Sequence, residues 1–182
     1  MSKTISSIVA AALLIGTAGT SALAESSTVS GGTIHFIGSV ADAACSVSPD
    51  SEHGLVLLDQ VTLDSLGTTK GTASGQAKPF YITLEDCDVT TIKNAAVTFN
   101  GQSSADQAGA LANNAGSGAA TGVALQIYGP DGKPLNLGTA STTQTLSSGT
   151  NKIPMSVDYI STSDAPTSGA VESVATFEIT YS

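Results

Sequence analysis

Few side chains in this sequence could do chemistry, and their spacing argues against catalysis. Cys45 and Cys87 are the only two cysteines. Two thiols allow one intramolecular pairing, so the chemistry expected of them is a disulfide. The acidic run Glu85-Asp86-Cys87-Asp88 could offer oxygens to calcium, but no EF-type loop spacing surrounds it, and it reads as a solvated strand end. His35 and His53 lack Cys, His or carboxylate partners at ligand spacing and read as surface histidines. Serines are abundant, yet no Gly-x-Ser-x-Gly occurs, and neither histidine is placed to complete a triad. The glycines of Gly116–Gly122 miss the dinucleotide pattern and have no strand–turn–helix around them. No enzyme activity, cofactor, metal or small-molecule substrate is expected.

The leader and the charge narrow the class further. Residues 1–24 carry Lys3, the apolar run Ile8–Ile15, and Ala22-Leu23-Ala24 before Glu25. That is a basic region, a short apolar region and an A-x-A cleavage site, as in a secretory signal peptide. The apolar run falls short of the roughly 20 residues a spanning helix needs. The expected product is therefore residues 25–182, exported and most simply one domain. Without Lys3, five lysines face fifteen acidic residues, a formal charge of −10, and there is no arginine. Nucleic acid and anionic membrane surfaces are poor partners for such a chain. An oxidising compartment favours the Cys45–Cys87 disulfide, which is worth on the order of 4 kcal/mol in the chain-entropy model.

The elements that must carry these residues read as strands. No sustained helical periodicity occurs; short β-type runs alternate with turn residues. Ala44–Val47, Leu55–Leu58, Pro79–Leu84, Ala95–Phe99, Val123–Tyr128, Lys133–Leu137, Ile153–Ile160 and Val174–Tyr181 are the expected strands. Gly129-Pro130-Asp131-Gly132 fits a turn between two of them. Pro154, near the start of its run, suits an edge or first position and not the middle of a sheet. Residues 102–122 read as a long surface connection, with a short helix at Gln107–Ala112 left open. This pattern predicts an all-β sandwich with no second domain.

Both ends of the exported chain are well patterned. In Thr28–Val40 one face carries Ser30, Gly32, Ile34, Phe36, Gly38 and Val40, so two bulky apolar groups sit between glycines. Ile34 and Phe36 would each contribute about 1.5–3 kcal/mol if fully buried. At the carboxyl end Ala175, Phe177, Ile179 and Tyr181 alternate with Thr176, Glu178, Thr180 and Ser182, which requires one packed face and one wet face.

Together these residues resemble the pilins of the chaperone–usher class, close to the major subunits of type 1 fimbriae. The resemblance spans essentially the whole chain. It rests on Val29–Phe36, Ala43-Ala44-Cys45, Leu84–Asp88, Gly169 fourteenth from the carboxyl terminus, and the penultimate Tyr181. It implies an immunoglobulin-like sandwich over residues 41–182 that lacks its last strand. Residues 25–40 would then form a donor extension, with Ser30, Gly32, Ile34, Phe36 and Gly38 on the donating face. Gly169, Ala175, Phe177, Ile179 and Tyr181 would form the groove and the surface recognised by a periplasmic chaperone. An outer-membrane usher and identical subunits are the other implied partners, in a head-to-tail filament outside a Gram-negative cell. The competing expectations are a secreted sugar- or surface-binding module with a complete sandwich, and a minor adaptor pilin.

Overall fold

A computed structural model gives the architecture for residues 31–36 and 43–182. Residues from Val40 onward form one unit and the preceding chain another. In chain order the described residues form β1 (Ser46–Val47), α1 (Pro49–Glu52), α2 (Leu63–Leu66), β2 (Lys78–Cys87), β3 (Asn94–Gly101), β4 (Leu111–Ala112), β5 (Val123–Tyr128), β6 (Pro134–Leu135), β7 (Gln144–Thr145), β8 (Gly149–Ser161) and β9 (Ala175–Tyr181). One sheet runs β1-β2-β8-β5-β4, with β6 on β5; the other runs β7-β3-β9. Every paired strand is antiparallel.

Two-residue periodicity puts Ile82 and Leu84 of β2, Leu125 and Ile127 of β5, and Ile153, Met155 and Val157 of β8 on the inner face of the larger sheet. There they meet Ala95, Val97 and Phe99 of β3. Phe99 stands edge-on to Phe80, with centroids 6.2 Å apart, and 6.1 Å from Phe177, linking the two sheets through three rings. Cys45 and Cys87 are joined by a disulfide and both are buried, which ties the lead into β1 to the end of β2.

The expected break at Ser48-Pro49-Asp50-Ser51 is a single helical turn. The Ser48 hydroxyl accepts the Ser51 N–H, and Pro49 occupies the first turn, where its missing N–H costs nothing. Leu55–Leu58 is not a strand in the described structure; it is an unpaired segment after α1. Residues 102–122 hold no helix. Instead Ser103 bridges Leu111, β4 pairs with β5, and Ala110 and Leu111 are buried.

Pro154 lies well inside β8, opposite Tyr81. The alternation of the ladder points its missing N–H away from β2, and β5 reaches only as far as Ser156 on that side. The strand is central at one end and an edge at the other, so the proline sits where no donor is required.

Gly169 is fixed by close backbone approach. A Cβ there would lie 2.4 Å from the Ala120 nitrogen and 2.5 Å from the Ala119 carbonyl carbon. Ala170 bridges Ala119 in parallel, and Ala170 N–H donates to the Gly118 carbonyl at 2.9 Å. Gly169→Ala should therefore lower the urea midpoint by the equivalent of about 1–3 kcal/mol, the usual cost of overpacking. Gly54→Ala, whose Cβ would meet its nearest atoms at 3.5 Å, should leave it unchanged. Equal midpoints for the two variants would contradict the packing described.

Candidate functional site: an open groove beside the last strand

Among the described residues the strand β9 is paired on one side only, with β3. Asn94 and Ser182 exchange both backbone bonds, at 2.9 and 3.0 Å, so the antiparallel alternation is set from that pair. Thr180, Glu178 and Thr176 then turn their N–H and C=O toward β3. Ala175, Phe177, Ile179 and Tyr181 turn theirs to the free edge. The mates of Phe177 and Ile179 confirm this parity from the other side: Phe99 accepts from Gly138 N–H at 2.8 Å, and Val97 accepts from Ser141 N–H at 2.9 Å. The residues that send apolar side chains inward are thus the ones whose backbone groups lack a sheet partner among the described residues.

Burial makes the same point. Ala95, Val97 and Phe99 on β3 are 0%, 0% and 5% exposed. Their neighbours Tyr181, Ile179 and Phe177, with the same inward pattern, are only partly buried although they pack on the same core. An inward-facing strand that stays half wet has something missing beside it.

What lies there is a groove of about 650 Å³. Ile82, Phe99, Leu111, Leu125, Ile127 and Val157 form its floor. The start of β9, through Ala175 and Phe177, is one wall; α1 and Gly54–Leu58 are the other. Leu55, which lines the groove, is 81% exposed, and Leu57, which does not, is 71% exposed. Among the described residues, the backbone of Gly54–Leu58 makes no hydrogen bond, so its N–H and C=O groups, like the odd-numbered ones of β9, lack a backbone partner.

Farther along, the Tyr181 hydroxyl donates to the Cys45 carbonyl at 3.3 Å and connects β9 to the disulfide. Ile179 and Tyr181 do not line the groove itself but continue its β9 edge. Gly169 is not a groove residue either; it borders a smaller cavity of about 300 Å³ with Leu63, Leu66, Val123 and Tyr159. The structure therefore brings together Ala175 and Phe177 of the expected groove set and places Gly169 apart. The residues that sequence reasoning missed are the floor from β5 and β8 and the Gly54–Leu58 wall. The apolar run Leu55–Leu58 was the one available signal for that wall.

Within the amino-terminal unit, Gly31–Phe36 forms no regular element, and Ile34 and Phe36 are 78% and 91% exposed. Gly32 has a φ of 112°, a conformation L side chains rarely adopt. Ser30 and Gly38 lie outside the described residues. The other groups considered for chemistry are dispersed: His35 is exposed, His53 closes α1, and Asp88 accepts the Thr90 N–H, which holds its carboxyl below the usual range. Among the described residues, no three His, Cys, Asp or Glu side chains gather as a metal site.

This architecture defines an immunoglobulin-like sandwich that lacks one strand. The family model described as Fimbrial protein matches residues 34–182, and the chain belongs to that family. It is 40% identical over 183 aligned residues to the type-1 fimbrial protein, A chain, of Escherichia coli K12, with 98% of each chain covered. The P pilus rod subunit PapA superposes with a TM-score of 0.64 at 25% identity, over 77% of this chain and all of that one. A subunit from the structure of a chaperone-usher pilus gives a TM-score of 0.69 at 27% identity, over 86% of this chain and all of that one.

Three tyrosines tie this geometry to pH. Burial raises the hydroxyl pKa of Tyr128, Tyr159 and Tyr181 above 10.0, with nearby Asp158 adding to the first two and Asp59 to Tyr159. A raised folded value gives stability that is complete below about pH 10, the unfolded value, and is lost as pH climbs through the folded one. The urea midpoint should hold from pH 7 to 9 and fall as the pH rises past about 10, with a weaker fall when all three are Phe. A pH-independent midpoint across the alkaline range would contradict it.

Proposed function

We propose that this chain is a structural pilus subunit that polymerises by donor-strand exchange into an extracellular filament used in adhesion. The observation that carries the reading is the half-wet inward face of β9 beside the buried inward face of β3, with the odd-numbered backbone groups of β9 unpaired among the described residues. Such an edge is an aggregation hazard unless something occupies it. An extended segment can do so by adding a strand, and chaperone–pilin pairing is a known instance of that mode.

The donor is the amino-terminal extension of residues 25–40. Ser30, Gly32, Ile34, Phe36 and Gly38 form its inserting face, and Ile34 and Phe36 are the apolar anchors. The exposure of both side chains supports this role. The family match begins at Ile34, so Ile34, Phe36 and Gly38 fall within the pattern that defines the relatives, while residues 25–33 precede it. Acceptor and donor surfaces differ, so the contact is heterologous and repeats without closing, as a filament requires. Before assembly the same groove is filled by a periplasmic chaperone that reads Ala175, Phe177, Ile179 and Tyr181, and an outer-membrane usher exchanges it for the next subunit. Residues 1–24 direct the chain to the periplasm. The abundance of Ala, Gly, Ser and Thr on a weakly charged surface suits repeated close packing of copies, in keeping with a shaft subunit.

Phe36→Asp places a charge where an aromatic ring must be buried. It should abolish filaments in negative-stain electron microscopy while the secreted subunit keeps its disulfide and its thermal midpoint. Filaments of normal length and number from that variant would overturn the assignment of Phe36.

A further inference from the structure

The wall Gly54–Leu58 has no ladder to hold it, yet it keeps a defined place at the groove's rim. Its amino-terminal end is fixed by α1, where Ser48 N–H donates to the Thr83 carbonyl at 3.0 Å and Thr83 N–H donates to the Ser51 hydroxyl at 2.9 Å. At its carboxyl-terminal end Leu58 packs on the core, and the polar restraints gather at the next residue, Asp59. The Tyr159 hydroxyl, from β8, donates to the Asp59 carbonyl at 3.1 Å, and the Lys78 ammonium meets the Asp59 carboxylate at 2.8 Å. Immediately beyond, Gln60–Leu63 line the smaller cavity together with the Tyr159 ring.

These two restraints are not equal. The Lys78 and Asp59 side chains are 37% and 71% exposed, and ion pairs in that setting contribute little. The Tyr159–Asp59 hydrogen bond is also exposed, but Tyr159 is half-buried and packed against the core, so its hydroxyl is held in place before it meets the strap. A phenol is a protonated donor at neutral pH, and burial, with Asp59 and Asp158 nearby, raises its pKa further above 10.0.

We infer that Tyr159 is a positioning residue for strand uptake: its hydroxyl holds the Asp59 end of the Gly54–Leu58 strap, keeping the groove's second wall preorganised for an incoming strand. The inference rests on the donor-strand reading above. A wall already in place spares the incoming strand the cost of ordering it. Without the hydroxyl, the strap must be ordered during uptake, so the rate falls while the core under the Tyr159 ring stays intact.

The test uses the mature chain, dilute and unpolymerised, with a fluorescent peptide of residues 25–40 as the donor. Tyr159→Phe should slow peptide uptake by about three- to tenfold, the scale of one hydrogen bond. Chymotrypsin should cut faster after Leu55 or Leu57 in the empty variant but not in the peptide-filled one, and the filled complex should melt within a degree or two of wild type. Lys78→Gln should change uptake by less than about twofold. Unchanged uptake by Tyr159→Phe, or a slowing matched by an equal loss of melting temperature in the filled complex, would overturn the positioning role. If the wild-type chain takes up no peptide at all, the donor-strand reading fails instead.

Discussion

The structure turns on a conflict within β9. Its odd-numbered side chains point into the core, and among the described residues its outer backbone edge has no sheet partner. A central strand satisfies both requirements by pairing on two sides, and an ordinary edge strand avoids the conflict by being short, charged or bulged. β9 does neither: it is seven residues long with clean alternation, and it lies next to a groove with an aliphatic and aromatic floor. Everything else about the molecule arranges itself around that unfinished edge.

The rest of the fold keeps the edge open without letting the core fail. The larger sheet is complete, and Leu84 and Ile153 are almost wholly buried within it. The disulfide secures the lead into β1, and the Tyr181 hydroxyl reaches the Cys45 carbonyl from across the sandwich. Residues 102–122 and 167–171 close one end through Asn113, whose amide nitrogen donates to the Ala120 and Ala170 carbonyls at 2.9 Å. At Gly101 a Cβ would fall 2.5 Å from Leu111 Cδ2 and 3.0 Å from the Val174 carbonyl, so a side chain there would push Leu111 aside. The opening is thereby confined to one side, the side that another strand can fill.

Much of this could be read from residue order. Alternation placed β5 at its observed bounds, located β3 and β9 within a residue or two, and found the start of β2 within one residue while ending it three residues early, because half-buried strands must repeat every second position. It also singled out Ala175 and Phe177. The sequence was less informative wherever an element is fixed by contacts from distant parts of the chain. Nothing local separates Leu55–Leu58 from a true strand; its partners are simply absent from the sheet. Pro154 looked like the start of an edge strand because the local ending of β5 beside it is a tertiary fact. Gly169 carried a family signal, but its physical reason is the backbone of Gly118–Ala120, about fifty residues away in sequence, and it serves the smaller cavity instead of the groove.

The most direct test of the account is residue-resolved amide exchange of β9 before and after assembly. In the unpolymerised subunit Thr176, Glu178 and Thr180 should be protected, while Ala175, Phe177, Ile179 and Tyr181 exchange freely. In the filament both sets should be protected, because the odd amides then have a partner strand. Protection of the odd amides in the lone subunit, or free exchange of them in the filament, would contradict the claim that each subunit is completed by a strand from its neighbour.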